Sequence, residues 1–279
     1  MIGFLNINKP TGLSSAQVVA HIKRMCPKGT KIGHLGTLDP MANGVLPIAI
    51  GRATRLFDLM QNKKKEYIAI FNFGKTTDSL DATGQLLKVC DKIPDCEEIM
   101  NTLPRFVGEI SQIPPVFSAK NVNGVRAYQM ARQGKSVNLT PCKVKIYAFE
   151  LLEQLDSSTF SFRIECGSGT YIRSLCRDLA LVLGTVAVMT SLTRTKSGPF
   201  CLEDAQYFDK LDLSQMISVE QALNFEKIVL SDIELKTLLD GKILTLAQPN
   251  GDYLAFNNDK LQCILTIKDN FVSNKIWLR

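Results

Sequence analysis

The segment from Glu66 to Gly74 constrains the fold most strongly, because its residues alternate with a period of two. The residues that share one face are Tyr67, Ala69, Phe71 and Phe73. Aromatic and β-branched residues in this alternation are typical of a β-strand that turns one face to a core. We therefore expect a strand here and a sheet that contains it.

Other segments carry the same period. Residues 143–152 and 158–166 predict two long strands, and 252–257, 261–268 and 271–278 predict three short ones near the end of the chain. The change in the sequence pattern before these last strands places a domain boundary between residues 227 and 228. We expect a main domain over 1–227 and a small β-rich domain over 228–279.

Helices are predicted between the strands. Ser14 and Gln17 have the spacing of a capping box, which begins a helix. Further helices are expected over 97–106, over 218–225 and after the turn at 167–169. The apolar stripe of the helix after that turn consists of Ile172, Leu175, Cys176, Leu179 and Leu183. Gly184 then ends this helix.

The stretch 111–145 has few large apolar residues at regular spacing, so we interpret it as an arm inserted in the main domain, with a short helical piece over 127–133. No acidic residue occurs from Ile110 to Phe149. The basic residues of this window are Lys120, Arg126, Arg132, Lys135, Lys143 and Lys145. The chain as a whole has a net charge of +6. This segregation of charge favours a surface that binds a polyanion, although an excess of basic residues in a window of this length can also arise by chance.

Composition excludes several classes. With 45% hydrophobic and 22% charged residues, the chain is neither disordered nor fibrous. Its 8 cysteines form no Cys-x-x-Cys pair, so a structural zinc is not expected. No apolar run has the length of a membrane span. The first residues lack the pattern of a signal peptide, and we expect a cytoplasmic protein with reduced thiols.

A loop from Gly33 to Gly44 contains two side chains that are capable of chemistry, His34 and Asp39. Leu38-Asp39-Pro40 alone would indicate a tight turn. The loop is long, however, and lies between two apolar stretches. Loops of that kind on a rigid scaffold often carry functional sites.

Five groups of residues, in order along the chain, resemble the motifs of the TruB family of pseudouridine synthases. The stretch 33–40 reads GHLGTLDP, and GVLP at 44–47 and GRATR at 51–55 follow it. The opening NKPTGLSS at 8–15, KEY at 65–67, QIPPVFSAK at 112–120 with GVRAYQMARQG at 124–134, and GTYIR at 169–173 complete the series. The resemblance spans residues 3–200.

The resemblance implies an α+β fold. The catalytic domain of the family is built on a mixed, mainly antiparallel sheet flanked by helices, with a thumb insertion, here about 110–146. A small β-rich, PUA-like C-terminal domain follows it. The C-terminal domain of this chain is short, and the stretch 201–241 before it is acidic, so its share in RNA binding is in doubt.

The resemblance also assigns an activity, the isomerisation of uridine to pseudouridine at position 55 in the T-loop of tRNA, with no cofactor and no metal. It implies Asp39 as the catalytic carboxylate, Arg173 as its partner, and Tyr67 as the aromatic residue that stacks on the target base and could act as general base. Without the motif, Arg173 would be interpreted as a surface arginine and Tyr67 as a core aromatic. Whether Asp39 attacks the base, attacks C1′ or assists a glycal route stays open.

The substrate-binding residues that the resemblance implies are His34, Tyr67, Tyr171, Leu192, Lys9, Arg126, Arg132 and Lys135. His34 would occupy the space that the flipped base leaves, although a lone histidine is more often structural. The arginines and lysine of the thumb would meet phosphates. The run Lys63 to Lys65 is a second candidate for phosphate contacts, or else a solvated surface.

We expect tRNA, through its T-arm stem-loop, as the partner of a monomer with no obligatory protein partner and no membrane association. Two alternatives remain: a tRNA-binding folding chaperone, and a guide-RNA-directed catalytic subunit. The short C-terminal domain argues against the second. Only an enzyme needs Asp39, Tyr67 and Arg173 together.

Overall fold

The computed structural model describes residues 1–61, 63–118, 120–122, 124–126, 130 and 139–279, with the backbone alone at 121, 122, 125 and 126. The helical piece predicted at 127–133 lies, apart from Met130, outside the described residues. The strands in chain order are β1 (Gly3–Lys9), β2 (Ile32–His34), β3 (Asn43–Ile50), β4 (Lys65–Phe73), β5 (Lys75–Thr77), β6 (Leu86–Val89), β7 (Gly108–Gln112), β8 (Asn121–Val122), β9 (Val125–Arg126), β10 (Cys142–Gln154), β11 (Thr159–Cys166), β12 (Ala187–Ser197), β13 (Phe200–Cys201), β14 (Gln206–Tyr207), β15 (Glu226–Val229), β16 (Gly251–Asn257), β17 (Lys260–Lys268) and β18 (Phe271–Trp277). The α-helices are α1 (Ser15–Met25), α2 (Phe57–Gln61), α3 (Cys96–Thr102), α4 (Ile172–Val182), α5 (Val219–Leu223) and α6 (Asp232–Leu239).

A mixed, mainly antiparallel sheet forms the main domain, in the order β14-β1-β3-β12-β4-β11-β10-β7. Its parallel pairs are β1 with β14 and β3 with β12. β4 lies inside this sheet, between β12 and β11, and its odd-numbered residues from Lys65 to Phe73 are buried. The predicted alternation is therefore confirmed, and the expected mixed sheet is present.

α1 and α4 cover one face of the sheet because their apolar residues continue its core. α1 begins at the Ser14–Gln17 capping box, as predicted. Val18 and Ile22 of α1 and Leu175 and Leu179 of α4 are fully buried in the same cluster. Gly184 follows α4 with a φ of +71°, a conformation that a glycine adopts without strain.

The predicted thumb bounds of about 110–146 need correction. β7 and β10 pair in register from Gln112 with Cys142 to Gly108 with Ile146, so both ends of that range belong to the main sheet. Lys143 and Lys145 are exposed and alternate with the buried Val144 and Ile146, which is the pattern of a strand. Residues 113–141 separate these two strands in sequence.

The C-terminal residues form a second sheet in the order β15-β16-β17-β18. Its three long strands match the predicted ones. β15 pairs in parallel with β16 through Glu226 to Val229, so the boundary predicted between 227 and 228 falls within a strand. No helix in the described part of the chain is long and apolar enough to cross a membrane.

Candidate active site

A pocket of about 870 Å³ opens where the loop between β2 and β3 meets β4, β12 and the N-terminus of α4. Residues from all four elements line it, including Asp39, Tyr67, Leu192 and Arg173. Tyr171, His34, Lys65, Lys120 and Arg194 also belong to its wall. The structure thus brings together most of the residues that the sequence predicted.

The loop that carries Asp39 is held by hydrogen bonds to the start of α1 and to the turn before it. The hydroxyl of Ser15 donates to the Leu38 carbonyl at 3.0 Å and accepts from the Leu38 amide at 2.9 Å. The Gly12 amide donates to the Pro40 carbonyl at 2.7 Å. These bonds fix the backbone on both sides of Asp39, and so its side chain points into the pocket with little freedom.

Lys9 completes this support. Its side chain is fully buried, and its ammonium donates to the carbonyl oxygens of Pro10 (2.8 Å), Leu13 (2.7 Å) and Pro40 (3.4 Å). Burial lowers the pKa of Lys9 to about 8. Lys9 does not line the pocket. From this position it supports the loop, and the predicted contact with substrate does not fit its burial.

Arg173 is the centre of a charged network at the floor of the pocket. It is 5% exposed, and its Nη2 lies 2.9 Å from Oδ2 of Asp39, while its Nη1 lies 3.3 Å from Oδ2 of Asp81. Nη1 and Nη2 also donate to the carbonyls of Ser79 and Phe117, at 2.9 and 3.0 Å. The interpretation of Arg173 as a surface arginine is thereby wrong: the guanidinium is buried between two carboxylates.

The electrostatic state of Asp39 follows from this network. Burial raises the pKa of Asp39 above its ordinary value; Arg173 opposes the shift and Asp81 adds to it. The Asp39 side chain keeps 34% of its surface exposed, and that opening faces the pocket. Among the described residues, none donates a hydrogen bond to Oδ1 of Asp39, so none of them competes with a ligand for that oxygen.

Tyr67 lies on β4 directly opposite Arg194 of β12, and is 7% exposed. Its ring belongs to the core cluster and also lines the pocket, so its core position is compatible with the predicted contact with the base, which stays a prediction. Burial raises the pKa of Tyr67. The side chain is therefore a neutral phenol at physiological pH. Leu192, on the same strand as Arg194, is 6% exposed beside it.

Tyr171 and His34 stand at two other sides of the pocket. The Tyr171 backbone exchanges two hydrogen bonds with the buried Gln112 side chain, at 2.9 and 3.2 Å, which ties the start of α4 to β7. Burial lowers the pKa of His34, so its imidazole is neutral at physiological pH. Its buried Nδ1 has no hydrogen-bond partner among the described residues.

The remaining predicted residues lie on the thumb. Arg132 and Lys135 lie outside the described residues, and for Arg126 only the backbone is described, in the β8–β9 hairpin. Their predicted phosphate contacts stay predictions. Within the described ranges, no group of His, Cys, Asp and Glu residues has the arrangement of a metal site.

Sequence reasoning missed two charged residues of the site, Asp81 and Arg194. Asp81 is 4% exposed and accepts hydrogen bonds from Ser79 and Thr83 on Oδ1, which leaves Oδ2 for Arg173. No local pattern marks Asp81, because Arg173 is distant from it in sequence. For Arg194, the available signal was its position two residues after Leu192, which places both side chains on the same buried face of β12.

Comparisons with known proteins define the class. The family model described as TruB family pseudouridylate synthase, N-terminal domain, matches residues 23–172, and the model of the tRNA pseudouridylate synthase B C-terminal domain matches residues 173–240. The chain is thus of the pseudouridylate synthase class.

Individual relatives narrow the class to one family. The tRNA pseudouridine synthase B of Rickettsia felis is 44% identical over 81% of this chain and 67% of its own length, and that of Clostridium acetobutylicum is 38% identical over 93% of both. Among solved structures, a Cbf5-Nop10-Gar1 complex matches with a TM-score of 0.68 at 26% identity, over 95% of this chain and 78% of the matched one. The chain belongs to the TruB family of pseudouridylate synthases.

Proposed function

We propose that this protein isomerises uridine to pseudouridine at position 55 in the T-loop of tRNA. One observation carries the proposal: the Asp39 carboxylate, ion-paired to the buried Arg173, faces a pocket that also presents the ring of Tyr67. Relatives that are 38% to 44% identical carry the name tRNA pseudouridine synthase B, which supports tRNA as the substrate.

The reaction breaks the bond between C1′ and N1 of uracil, turns the base and joins C1′ to C5, and the C5 proton is exchanged for one on N1. No group or electron enters or leaves overall. A carboxylate is suited to this chemistry as nucleophile or as support for an electron-poor sugar. Arg173 favours the ionised form of Asp39 through its charge and fixes Oδ2, so that Oδ1 is the oxygen that reacts.

Tyr67 is proposed to stack on the target base. Because burial keeps its hydroxyl protonated, stacking is the role that requires no change of its charge. Tyr171 and Leu192 would bound the same base from other sides. A stacked uridine must leave its RNA loop to reach this pocket, which costs on the order of a few kcal/mol. His34 is proposed to occupy the vacated space.

The thumb residues Arg126, Arg132 and Lys135 are proposed to contact phosphates when tRNA is bound. Because the named relatives are more similar to this chain than the Cbf5 complex is, we favour a stand-alone monomer over a guide-RNA-directed subunit. No observation favours the chaperone alternative.

The test compares Asp39→Asn with the wild type on a T-arm transcript. We expect no pseudouridine from Asp39→Asn and nearly unchanged RNA binding, because the substitution removes a charge and no volume. Asp209→Asn, at an exposed position of a 3₁₀ turn, is the matched control and should retain full activity. Undiminished product from Asp39→Asn would refute the proposal.

The position in tRNA is tested separately. Mapping of pseudouridine in total RNA from cells with and without the protein should show loss at position 55 of tRNA alone. Loss at other sites, with position 55 intact, would contradict the T-loop assignment. Size-exclusion chromatography with light scattering tests the monomer.

A further inference from the structure

Arg194 is an unusual residue of the pocket wall because it is a buried cation that forms no ion pair with a carboxylate among the described residues. It is 1% exposed and ranks among the largest fully buried side chains of the described residues. Within that part of the chain it forms no ion pair. Burying an unpaired charge is costly, and such a residue persists only where its contacts compensate for that cost.

Its hydrogen bonds span the loop that carries Asp39. The Nε of Arg194 donates to the Val45 carbonyl at 2.6 Å, and Nη2 donates to the Gly36 carbonyl at 3.0 Å. Gly36 precedes Asp39 and Val45 follows it, so one guanidinium joins both ends of the loop.

The backbone of Arg194 holds the same loop. Its Cα pairs with Gly44 in the parallel contact between β12 and β3. Gly44 has a φ of +99°, and a Cβ there would clash with the Arg194 carbonyl oxygen. Only a glycine permits this approach, which fixes the distance between the end of the loop and β12.

On its other side, Arg194 adjoins Tyr67. The two residues are cross-strand partners, and both line the pocket. For Tyr67, burial raises the pKa and the positive charge of Arg194 opposes that shift. For His34, burial lowers the pKa and the charge of Arg194 lowers it further. One side chain therefore contacts the loop of the carboxylate and the strand of the stacking ring.

We propose that Arg194 is a positioning residue for uridine isomerisation: its guanidinium ties both ends of the Asp39 loop to β12 beside Tyr67, and so fixes the distance between carboxylate and ring. The inference rests on the proposed function. Arg173 acts on the carboxylate of Asp39 directly, whereas Arg194 acts on the backbone that carries it.

The test uses Arg194→Met and Arg194→Lys, with Arg163→Lys as matched control. Arg163 lies on β11 and forms ion pairs with Glu66 and Glu150, away from the pocket. Single-turnover rates at saturating enzyme are compared with the Kd for a T-arm transcript. In Arg194→Met we expect the rate to fall about 100-fold, as a misplacement of about 1 Å can cause, with Kd little changed. Arg194→Lys should recover part of the rate, and Arg163→Lys should keep it.

A wild-type rate in Arg194→Met would overturn the inference, as would a loss seen equally in Arg163→Lys. If the wild type itself forms no pseudouridine in tRNA, the proposed function is refuted. The effect of Arg194 on the loop is then measured through the titration of His34. The chain has 2 histidines, so NMR resolves the His34 titration, assigned with His34→Asn. Its midpoint should rise in Arg194→Met and stay near the wild type in Arg194→Lys, which keeps the charge. An equal rise of the His34 midpoint in both variants, or no rise in Arg194→Met, would refute a role for Arg194 at the loop.

If Arg194→Met does not fold, the Arg194→Lys variant decides. A lowered rate with an unchanged Kd then supports the inference, and a wild-type rate refutes it.

Discussion

Arg173 supplies the positive charge for two carboxylates, so its loss should destabilise the fold more than any other single change in this network. Arg173→Met keeps the apolar stem and removes the guanidinium. Asp81, whose side chain is 6% exposed, then remains as a buried charge without a partner. Removing one member of a buried ion pair costs about 3–5 kcal/mol. We expect Arg173→Met to fall in that range.

Asp81→Asn should cost less, because it leaves Arg173 and Asp39 as a balanced pair. The amide oxygen can still accept from Ser79 and Thr83, as Oδ1 of Asp81 does. The amide nitrogen then faces Nη1 of Arg173, and two opposed donors in a buried place cost about 1–3 kcal/mol. The charge count of the network thus predicts the order of the two variants.

The double variant tests the reasoning most directly. Removal of both Arg173 and the Asp81 charge leaves only Asp39, whose carboxylate opens to the pocket. The free energy of unfolding of the double variant should therefore be higher than the sum of the two single losses predicts, by a coupling energy of about 0.5–3 kcal/mol.

Urea unfolding at neutral pH measures all three variants. Far-UV circular dichroism is the suitable signal, since the single tryptophan, Trp277, lies in the C-terminal sheet and reports on that part of the chain. Arg163→Met is the control, because its ion pairs are partly exposed and surface pairs contribute about 0–1 kcal/mol. Additive losses in the double variant, or a loss in Arg163→Met equal to that in Arg173→Met, would refute the assignment of these energies to charge balance.

Two further predictions concern pH. Burial raises the pKa of Asp39 and Asp81 adds to the shift, so the single-turnover rate should fall, as pH decreases, at a midpoint above the ordinary value of about 3.9. Asp81→Asn should move that midpoint to lower pH, and a midpoint that stays or rises contradicts the coupling. Lys9 has a pKa of about 8 against a reference of 10.5, so the unfolded state binds more protons between these values and the contribution of Lys9 to stability increases with pH there. Lys9→Met should reduce the rise in the free energy of unfolding over that window, and an unchanged slope would be inconsistent with a buried Lys9.

Local signals explain which parts of the fold the sequence predicts. The capping box at Ser14, the alternation through Tyr67 and the stripe ending at Gly184 each depend on neighbours within a few residues, and the structure confirms all three. The strand at Glu226–Val229 escaped prediction, because its four residues are mostly exposed and gain their order from parallel pairing with β16.

The charged network shows the same limit. The motifs point to Asp39 and Arg173, which the structure pairs, whereas Asp81 reaches Arg173 only through the fold. Ser79, two residues before Asp81 and between β5 and β6, is separated by 94 positions from Arg173, the arginine that donates to its carbonyl. The expected thumb bounds of about 110–146 overlap β7 and β10, because the window without acidic residues extends into both strands.

The contact between β12 and the Asp39 loop also sets an order of events during synthesis. The Arg194 side chain and the Val45 carbonyl that it bonds are 149 positions apart. Contacts of such separation form late, since closing a long chain segment costs entropy before any contact compensates for it. As the ribosome releases the chain from its N-terminus, the loop that carries Asp39 exists long before the strand that holds it. A nascent chain that ends before β12 therefore carries Asp39 without its fixed geometry, and it gains the complete pocket only when the sheet closes around β4.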